Sequence, residues 1–268
     1  MEQHARPITA AAFGKKPSDA FPLAVLTAYD YPSAALADEA GVDAVLVGDS
    51  LGMVIMGHAN TLGVTMDIMA HHTAMVARAT RRALVIADMP FLSCNLGPEE
   101  ATRNAGRLVG ACGAGAVKIE GSMSRAGDAI QAVLRAGIPV MGHLGLTPQR
   151  VLQLGGYHVQ GRDEEAAARI RREARELAEA GCFAVVLECV PADLAKTITS
   201  ELPVPTIGIG AGPHCDGQVL VMHDILGWGK ARFARTYADV RKIMGDAFAA
   251  YVADVKAGRY PAREHWYE

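Results

Sequence analysis

The 268-residue chain lacks the features that mark secreted, membrane-spanning or strongly charged proteins. Its first residues, MEQHARPITA, contain no apolar core of the kind found in signal peptides, and no apolar run reaches the length of a membrane span. Lysine and arginine number 26 against 29 aspartates and glutamates, so the charge gives no reason to expect nucleic acid or an anionic membrane as a partner. We therefore expect a soluble, cytoplasmic protein.

Cysteines in recognisable pairs are also missing. The five cysteines are odd in number, and none belongs to a CxxC pair. A disulfide framework or a cysteine-ligated zinc site is therefore not expected, and reduced thiols in the cytoplasm are the default. Low-complexity runs, linkers and short repeats are lacking too, so the sequence does not divide into separate modules.

What the sequence has instead is a regular series of short apolar segments. They are almost continuously apolar rather than alternating, which is typical of strands buried on both faces of a parallel sheet. The strand candidates are LAVLTAY (23–29), DAVLVGD (43–49), LVIADMP (84–90), AVKIEG (116–121), IPVMGHLG (138–145), FAVVLECV (183–190), PTIGIGAG (205–212) and QVLVMHD (218–224). Between them lie helical stretches, clearest at 163–180, where Asp163 can cap the N-terminus and Gly181 follows as a stop.

Further helices are predicted for residues 99–112, after Pro98, and for residues 66–82. Eight strands in a chain of this length match the (β/α)8 TIM barrel of the α/β class, whose typical size is about 250 residues. The structural alternative is a doubly wound open sheet, which would need fewer strands and a nucleotide-binding fingerprint. GIGAG at 208–212 is only part of such a fingerprint. We expect one barrel domain over residues 1–268, with a short N-terminal extension and C-terminal helices.

Polar residues recur at the C-terminal ends of these apolar segments, which is where a barrel of this kind carries its chemistry. They are Tyr29, Asp30, Asp49, Ser50, Asp88, Lys118, Glu120, His143 and Glu188. Any one of them could simply cap a helix or shape a turn. Several acids that converge on one mouth would repel each other without a cation, so the set as a whole indicates a site.

The segment AVKIEG at 116–121 shows the same contrast within one strand. Side chains alternate along a strand, so Lys118 and Glu120 share one face while Val117 and Ile119 share the other. Lysine and glutamate are almost never fully buried unless they are paired or bound to something. The shared face is therefore either a buried ion pair or part of a site.

The residue types narrow the chemistry of that site. Asp49, Asp88 and Glu120 offer only oxygen ligands, which favours a hard divalent ion such as Mg²⁺. A metal with open positions next to Lys118 suits a substrate that chelates through a carboxylate and an adjacent keto oxygen, and it lowers the cost of forming an enolate. Glu188, from a strand across the barrel, is then free to act as the base that removes a proton.

Two other polar pairs have ordinary interpretations. His71 and His72 are neighbours in the predicted helix 66–82, so their side chains diverge by about 100° and cannot both face one metal. His214 and Cys215 are neighbours in a glycine-rich loop, whereas a Cys–His nucleophile needs adjacency in space rather than in sequence. We assign no function to either pair.

A longer set of motifs resembles one known family. The motifs are LTAYD (26–30), VGDSLGMVIMGH (47–58), IADMPF (86–91), VKIEG (117–121), GHLGLTPQ (142–149), GGYHVQGR (155–162), LECVP (187–191), IGIGAG (207–212) and DGQVLVMHD (216–224). In this order, from about residue 8 to the C-terminus, they resemble the ketopantoate hydroxymethyltransferases, also called 3-methyl-2-oxobutanoate hydroxymethyltransferases. The resemblance implies a (β/α)8 barrel of the phosphoenolpyruvate mutase and isocitrate lyase type.

The resemblance also implies a reaction and the residues that bind its substrate. Members of the family transfer a one-carbon unit from 5,10-methylenetetrahydrofolate to 3-methyl-2-oxobutanoate, which gives 2-dehydropantoate in pantothenate biosynthesis. On this pattern Asp49, Asp88 and Glu120 would surround Mg²⁺, directly or through water. Asp49, Ser50, Asp88 and Lys118 would hold the oxo acid.

In the same pattern, Glu188 would be the proton acceptor and His143 would face the bound ligand. Family members are usually large cytoplasmic homo-oligomers, commonly decamers. Two alternatives stay open, namely another Mg²⁺-dependent lyase or mutase of the same superfamily and a catalytically inactive barrel that binds a 2-oxo acid. The LECVP and GHLGLTPQ segments favour the transferase. We expect residues 146–162 to form a lid or binding loop, and the folate to bind near the glycine-rich mouths of strands seven and eight.

Overall fold

The computed structural model describes residues 6–17, 22–229 and 231–267. They fall into two compact units, of which the first ends at Val221 and the second begins at Met222. The expectation of one domain over the whole chain stays a prediction. Among the described residues, no helix is both long and apolar enough to cross a membrane.

Within the described part of the first unit, eight parallel strands close into a barrel. Strands that are consecutive in the sequence are neighbours in the barrel, and the last pairs with the first. The strands are β1 (Leu23–Thr27), β2 (Ala44–Val47), β3 (Leu84–Asp88), β4 (Ala116–Glu120), β5 (Val140–Gly145), β6 (Ala184–Glu188), β7 (Thr206–Ile209) and β8 (Gly217–Leu220). The predicted (β/α)8 architecture is therefore confirmed.

Most strands end one to four residues before their predicted segments do. The clearest error concerns residues 218–224, since the strand stops at Leu220 and residues 222–225 form a short helix of the second unit. The connection between β7 and β8 also departs from the regular pattern, because residues 210–216 contain no helix.

The helices lie between the strands and follow the capping signals of the sequence. In the first unit they are α1 (Ala10–Phe13), α2 (Tyr31–Glu39), α3 (Leu51–Val54), α4 (Met66–Ala79), α5 (Pro98–Gly106), α6 (Met123–Arg135), α7 (Val151–Leu154), α8 (Glu164–Glu179) and α9 (Ala192–Glu201). The predicted cap of α8 is confirmed, since Asp163 Oδ1 accepts a 2.8 Å hydrogen bond from the Ala166 N–H. The segment predicted as a helix over 99–112 is α5 followed by a π-helical turn, Arg107–Ala111.

The second unit has its own helices. They are α10 (Met222–Ile225) and α11 (Val240–Lys256), followed by a 3₁₀ turn at Arg263–His265. Asp239 caps α11 by accepting a 3.0 Å hydrogen bond from the Lys242 N–H.

Alternate residues of the strands fill the barrel and form its core. This interior cluster comprises Val25, Ala44, Leu46, Leu84, Ile86, Ala116, Met141, Ala184, Val186, Ile207 and Val219. Ala10 and Phe13 of α1 belong to the same cluster, and the Phe13 ring meets Phe183 edge-on with centroids 5.9 Å apart. Because Phe183 directly precedes β6, α1 closes the N-terminal end of the barrel. A fully buried phenylalanine of this kind contributes about 1.5–3 kcal/mol.

Candidate active site

Side chains alternate along each strand, so the face that packs apolar residues into the core also presents polar side chains at the C-terminal end of the barrel. Two positions beyond a core residue, the same interior face of each strand presents a charged or polar group. The core residue and its polar successor are Ile86 and Asp88 in β3, Ala116 and Lys118 in β4, Met141 and His143 in β5, and Val186 and Glu188 in β6. These polar groups therefore meet at the C-terminal mouth.

Lys118 is the buried cation at the centre of this group. Its Nζ lies 2.6 Å from Asp88 Oδ1 and 3.9 Å from Glu120 Oε1, and all three side chains are at most 5% exposed. Burial disfavours the ammonium, but the charges of Asp88, Glu120 and Asp49 outweigh it and raise the pKa of Lys118 above its ordinary value. The tight ion pair is thus made across strands, to Asp88, and the Glu120 contact within β4 is the looser one.

Asp49 and Asp88 are held together by the backbone. The Asp49 N–H donates a 3.0 Å hydrogen bond to Asp88 Oδ2, so the turn after β2 folds over the end of β3. A Cβ on Gly48 would lie 2.7 Å from Ser50 Oγ and 3.5 Å from Asp88 Oδ2, so this close approach requires glycine. The pKa of Asp49 is raised well above its ordinary value, first by burial and then by the charges of Asp88 and Glu120.

The donor set fits a hard divalent cation. Within the described residues, no three histidine, cysteine, aspartate or glutamate side chains are arranged to hold a metal by themselves. Mg²⁺, however, usually takes only one or two carboxylates and completes its shell with waters and ligand oxygens. Asp49 and Asp88 fit that role, because they are adjacent, buried and carry excess negative charge that a cation would neutralise. Glu120, which like Asp88 also contacts Lys118, fits a contact with the cation directly or through water.

His143 connects the two sides of the mouth. Its Nε2 lies 3.2 Å from Glu188 Oε2, and its Nδ1 lies 3.5 Å from Glu120 Oε1 and 3.3 Å from Lys118 Nζ. Burial and the Lys118 charge lower the pKa of His143, but the hydrogen bonds to Glu120 and Glu188 outweigh both and raise it to about 9. Each ring nitrogen thus lies within ion-pair distance of a glutamate, an arrangement that favours the charged imidazole.

Glu188 is the carboxylate of this group that solvent reaches best, since its side chain is 16% exposed against 2% for His143. The next residue, Cys189, has a φ of 48°, which is uncommon for a residue other than glycine. Across the strand pair, a Cβ on Gly145 would lie 2.2 Å from the Glu188 carbonyl oxygen, so only glycine allows β5 to pass this close to β6. The backbone around Glu188 is thus tightly constrained.

The remaining strand-end residues have mixed roles. Ser50 Oγ lies 2.8 Å from the Tyr29 hydroxyl, and the 1% exposed Tyr29 thereby supports the wall of the site. Asp30 instead caps α2 by accepting a 2.8 Å hydrogen bond from the Ser33 N–H. His72 Nδ1 lies 2.5 Å from the Tyr29 carbonyl oxygen, which gives this histidine a structural contact.

Gln149 is the site residue that the strand-end argument missed. Its side-chain Nε2 donates 2.9 Å hydrogen bonds to Asp49 Oδ2 and to the Met89 carbonyl, and its backbone N–H donates to Glu120 Oε2 at 3.2 Å. One residue of the segment 146–162 therefore touches two of the acids expected around the metal. The only sequence signal was its position at the end of the GHLGLTPQ motif.

The glycine-rich end of β7 has a packing explanation. A Cβ on Gly208 would lie 3.0 Å from Cys215 Sγ, and one on Gly212 would lie 2.5 Å from Ala192 Cβ. These glycines are thus needed for contacts within the fold itself. The expected folate position near β7 and β8 stays a prediction.

Comparisons with known proteins agree with this architecture. The model of the ketopantoate hydroxymethyltransferase family matches residues 7–263. A 3-methyl-2-oxobutanoate hydroxymethyltransferase of Pyrobaculum calidifontis is 55% identical over 246 residues, which cover 91% of this chain and 92% of that protein. The enzyme of the same name from Nitratidesulfovibrio vulgaris is 52% identical over 266 residues, covering 98% of this chain and 86% of that protein.

More distant solved structures share the fold. Phosphonopyruvate hydrolase, in a complex with oxalate and Mg²⁺, superposes with a TM-score of 0.63 at 13% identity and covers 96% of this chain and 93% of its own. A 2,3-dimethylmalate lyase, described as a member of the phosphoenolpyruvate mutase and isocitrate lyase superfamily, has a TM-score of 0.57 at 21% identity, with coverage of 95% and 89%. These likenesses support the closed parallel barrel as the fold of the chain.

Proposed function

The chain belongs to the ketopantoate hydroxymethyltransferase family, and from that premise we propose that it converts 3-methyl-2-oxobutanoate to 2-dehydropantoate with 5,10-methylenetetrahydrofolate as the one-carbon donor. Relatives at 52–55% identity carry the name of this transferase over most of the chain, so the protein is an enzyme of that class. The reaction places it in pantothenate biosynthesis. The identity of the donor and the course of the reaction are our inference.

The observation that carries the proposal is the buried arrangement of one ammonium, three acids and a histidine-held glutamate in a single mouth. The reaction must remove a proton from C3 of the oxo acid and stabilise negative charge on its keto oxygen. Lys118, 5% exposed, provides a fixed positive charge for the substrate's anionic end. Asp49, Ser50 and Asp88 form the wall beside it, where the oxo acid would bind.

A divalent cation such as Mg²⁺, held by Asp49 and Asp88, would supply Lewis-acid stabilisation of the negative charge that develops on the keto oxygen. Glu188 would accept the C3 proton on its carboxylate, because it is the acid that opens towards the mouth. The buried His143 Nε2, 3.2 Å from Glu188 Oε2, would hold this carboxylate in place by charge. The resulting carbon nucleophile forms the new bond to the one-carbon unit, water supplies the hydroxyl oxygen, and tetrahydrofolate leaves.

Deuterium exchange tests this assignment without the carbon donor. In D₂O with Mg²⁺ and no folate, we expect the protein to exchange the C3 hydrogen of 3-methyl-2-oxobutanoate, which proton NMR follows directly. Glu188→Gln should bind the oxo acid but reduce exchange by about 10²- to 10⁴-fold, since the amide keeps the shape and loses the base. Glu179→Gln, at the exposed end of α8, serves as the matched control.

Each result of that experiment has a distinct meaning. Undiminished exchange in Glu188→Gln would remove Glu188 from the role of base. If the wild type binds the oxo acid but does not exchange its proton, and folate does not restore exchange, the barrel is a binding protein and the transferase proposal is wrong.

We further propose that the enzyme works in the cytoplasm as a large homo-oligomer, as the family resemblance implies. All five cysteines are free, which suits a reducing compartment. Light scattering of the purified protein measures the particle mass, and the mass of a single 28.3 kDa chain would contradict the oligomer.

A further inference from the structure

We propose that a second pocket, beside the candidate active site, binds an oxyanion with about two negative charges, such as a pair of carboxylates or a phosphate. The pocket has a volume of about 340 Å³. It lies between the turn that joins β4 to α6, the segment that follows β5, and α8. Its polar lining includes Ser122, Arg125, Thr147, Arg150, Arg169 and Glu173.

The charge of the lining points to an anion. Arg125, Arg150 and Arg169 come from three different elements, and Glu173 is the single acid among the lining residues, so the formal charge is three minus one, or +2. Burial lowers the pKa of Arg150, and the charges of Arg125 and Arg169 lower it further, with Glu173 offsetting only part. These guanidinium groups are partly solvated, yet they face one another around the pocket, and a bound anion would relieve their mutual repulsion.

The pairing of arginines along α8 separates the pocket from an ordinary surface. Arg171 and Arg175 form ion pairs with Glu201, the latter at 2.9 Å, and Arg172 lies 3.8 Å from Glu176. By contrast, Arg169 and Arg125 have no ion pair with any acid in the described part of the chain. Arg150 donates only to the neutral Gln153 Oε1, at 2.9 and 3.1 Å. On α8, the arginine without an acidic partner among the described residues is therefore the one that lines the cavity, Arg169.

Hydroxyl donors complete the lining. The Thr147 side chain is 4% exposed, and its Oγ1 has no hydrogen-bond partner within the described residues. A buried hydroxyl without a partner is costly, and an oxyanion in the pocket would accept from it. The 13-residue helix α6 also begins at this pocket, with Ser122 as its N-cap residue, so its dipole adds to the positive potential.

The position of the pocket connects its occupant to catalysis. Gly121 and Ser122 follow Glu120 directly, and Thr147 lies two residues before Gln149 in the segment 146–162. On the proposed function, the occupant is the glutamate end of the folate donor, whose two carboxylates match the net charge of the pocket. The assignment of folate as the occupant rests on the proposed function, whereas the assignment of an anion site does not. The alternative occupant is an effector that carries a phosphate group.

Calorimetry with two probes tests the pocket. The probes are N-(4-aminobenzoyl)-L-glutamate, which is the acidic end of folate, and inorganic phosphate, both at constant ionic strength. We expect Arg125→Gln and Arg169→Gln to weaken binding of at least one probe about tenfold or more, since hydrogen bonds to charged groups are the strong ones. Arg172→Gln, on the same helix but outside the pocket, should bind as the wild type does. Both pocket arginines are exposed, so the variants should fold, and circular dichroism checks this.

The two probes distinguish between folate and a phosphate-bearing effector as the occupant of the pocket. Suppose that the pocket variants bind aminobenzoyl-glutamate more weakly, and that their KM rises for the folate donor but not for the oxo acid. The occupant is then the folate cosubstrate. If only phosphate binding weakens and the folate KM is unaffected, the anion site stands and its assignment to folate is wrong. If both pocket variants bind both probes as Arg172→Gln does, or if the wild type binds neither, the pocket is not an anion site. These binding results are independent of the deuterium-exchange result for Glu188.

Discussion

His143 Nε2 lies 3.2 Å from Glu188 Oε2 in the mouth of the barrel. The imidazole is almost completely buried while the carboxylate is partly open, so the buried partner positions the exposed one. The neighbouring glutamates outweigh burial and the Lys118 charge and raise the pKa of His143 to about 9. The proposed base therefore lies beside a buried imidazole whose surroundings favour its charged form.

The first prediction concerns the pH dependence of stability in the metal-free protein. The folded pKa of His143, about 9, lies above the ordinary value of 6.5, so folding favours the protonated form. This contribution is complete below about pH 6.5 and is lost as the pH rises through about 9. Thermal unfolding of wild type and His143→Gln, with a chelator present, should show a difference in Tm that shrinks over this range. A pH-independent difference would mean that His143 is neutral in the folded protein.

The second prediction assigns opposite stability effects to two neighbouring acids. Asp49→Asn should raise the Tm of the metal-free protein, because it removes a buried carboxylate that is repelled by Asp88 and Glu120. Each kcal/mol gained corresponds to about 2–4 °C in a chain of this size. Asp88→Asn should lower the Tm, because it breaks the 2.6 Å ion pair with Lys118, and loss of one partner of a buried pair typically costs about 3–5 kcal/mol.

Both substitutions should nevertheless impair the same function. Titration with Mg²⁺ in the presence of the oxo acid should stabilise the wild type and stabilise either variant much less, because each has lost a carboxylate that would face the cation. Mg²⁺-dependent stabilisation as strong as that of the wild type in either variant would remove that residue from the metal site.

The third prediction concerns the segment 146–162. Gln149→Ala should increase hydrogen exchange across this segment by about tenfold, because it removes the hydrogen bonds to Asp49 and Met89 at a cost of roughly 1.4 kcal/mol. Leu152→Ala, at a side chain that is 77% exposed in the same segment, is the control. In the wild type, the oxo acid with Mg²⁺ should increase protection of 146–162. Unchanged protection on ligand addition would show that the segment is not a lid.

The fourth prediction uses the unusual backbone after Glu188. Cys189 has a φ of 48°, a region that β-branched residues strongly disfavour and glycine tolerates. Cys189→Val should therefore destabilise the protein by about 1–3 kcal/mol and slow proton exchange by displacing Glu188, whereas Cys189→Gly should be milder in both respects. Denaturant unfolding and the NMR exchange rate measure the two effects. Equal effects of the two substitutions would mean that backbone strain does not matter here.

The barrel and its polar mouth could be predicted because both follow from patterns within single strands. Continuous apolar segments identified the strands, and the alternation in AVKIEG correctly placed Lys118 and Glu120 on one face. The sequence could not show that Lys118 pairs most tightly with Asp88, because that contact depends on how β3 and β4 are aligned.

Other features depend on contacts between elements that are distant in sequence. Gln149 reaches Asp49 across 100 positions, and Tyr29, in the loop after β1, reaches Ser50, in the turn after β2. The arginine pocket is assembled from a turn, a loop segment and a helix that are separated in sequence. Strand ends were placed too late because apolar residues and glycines continue past the last sheet hydrogen bond in most segments.

The short helix α1 has a kinetic consequence. Since Phe13 and Ala10 close the N-terminal end of the described barrel, substrates and products share the opposite opening. On the proposed function, the oxo acid would bind next to Lys118 and the larger folate nearer the opening, where it would block the acid if it bound first. We therefore expect the small acid to bind first and a saturating folate concentration to inhibit turnover competitively with the oxo acid. Steady-state inhibition patterns would show whether the two substrates bind in this order through the single opening of the barrel.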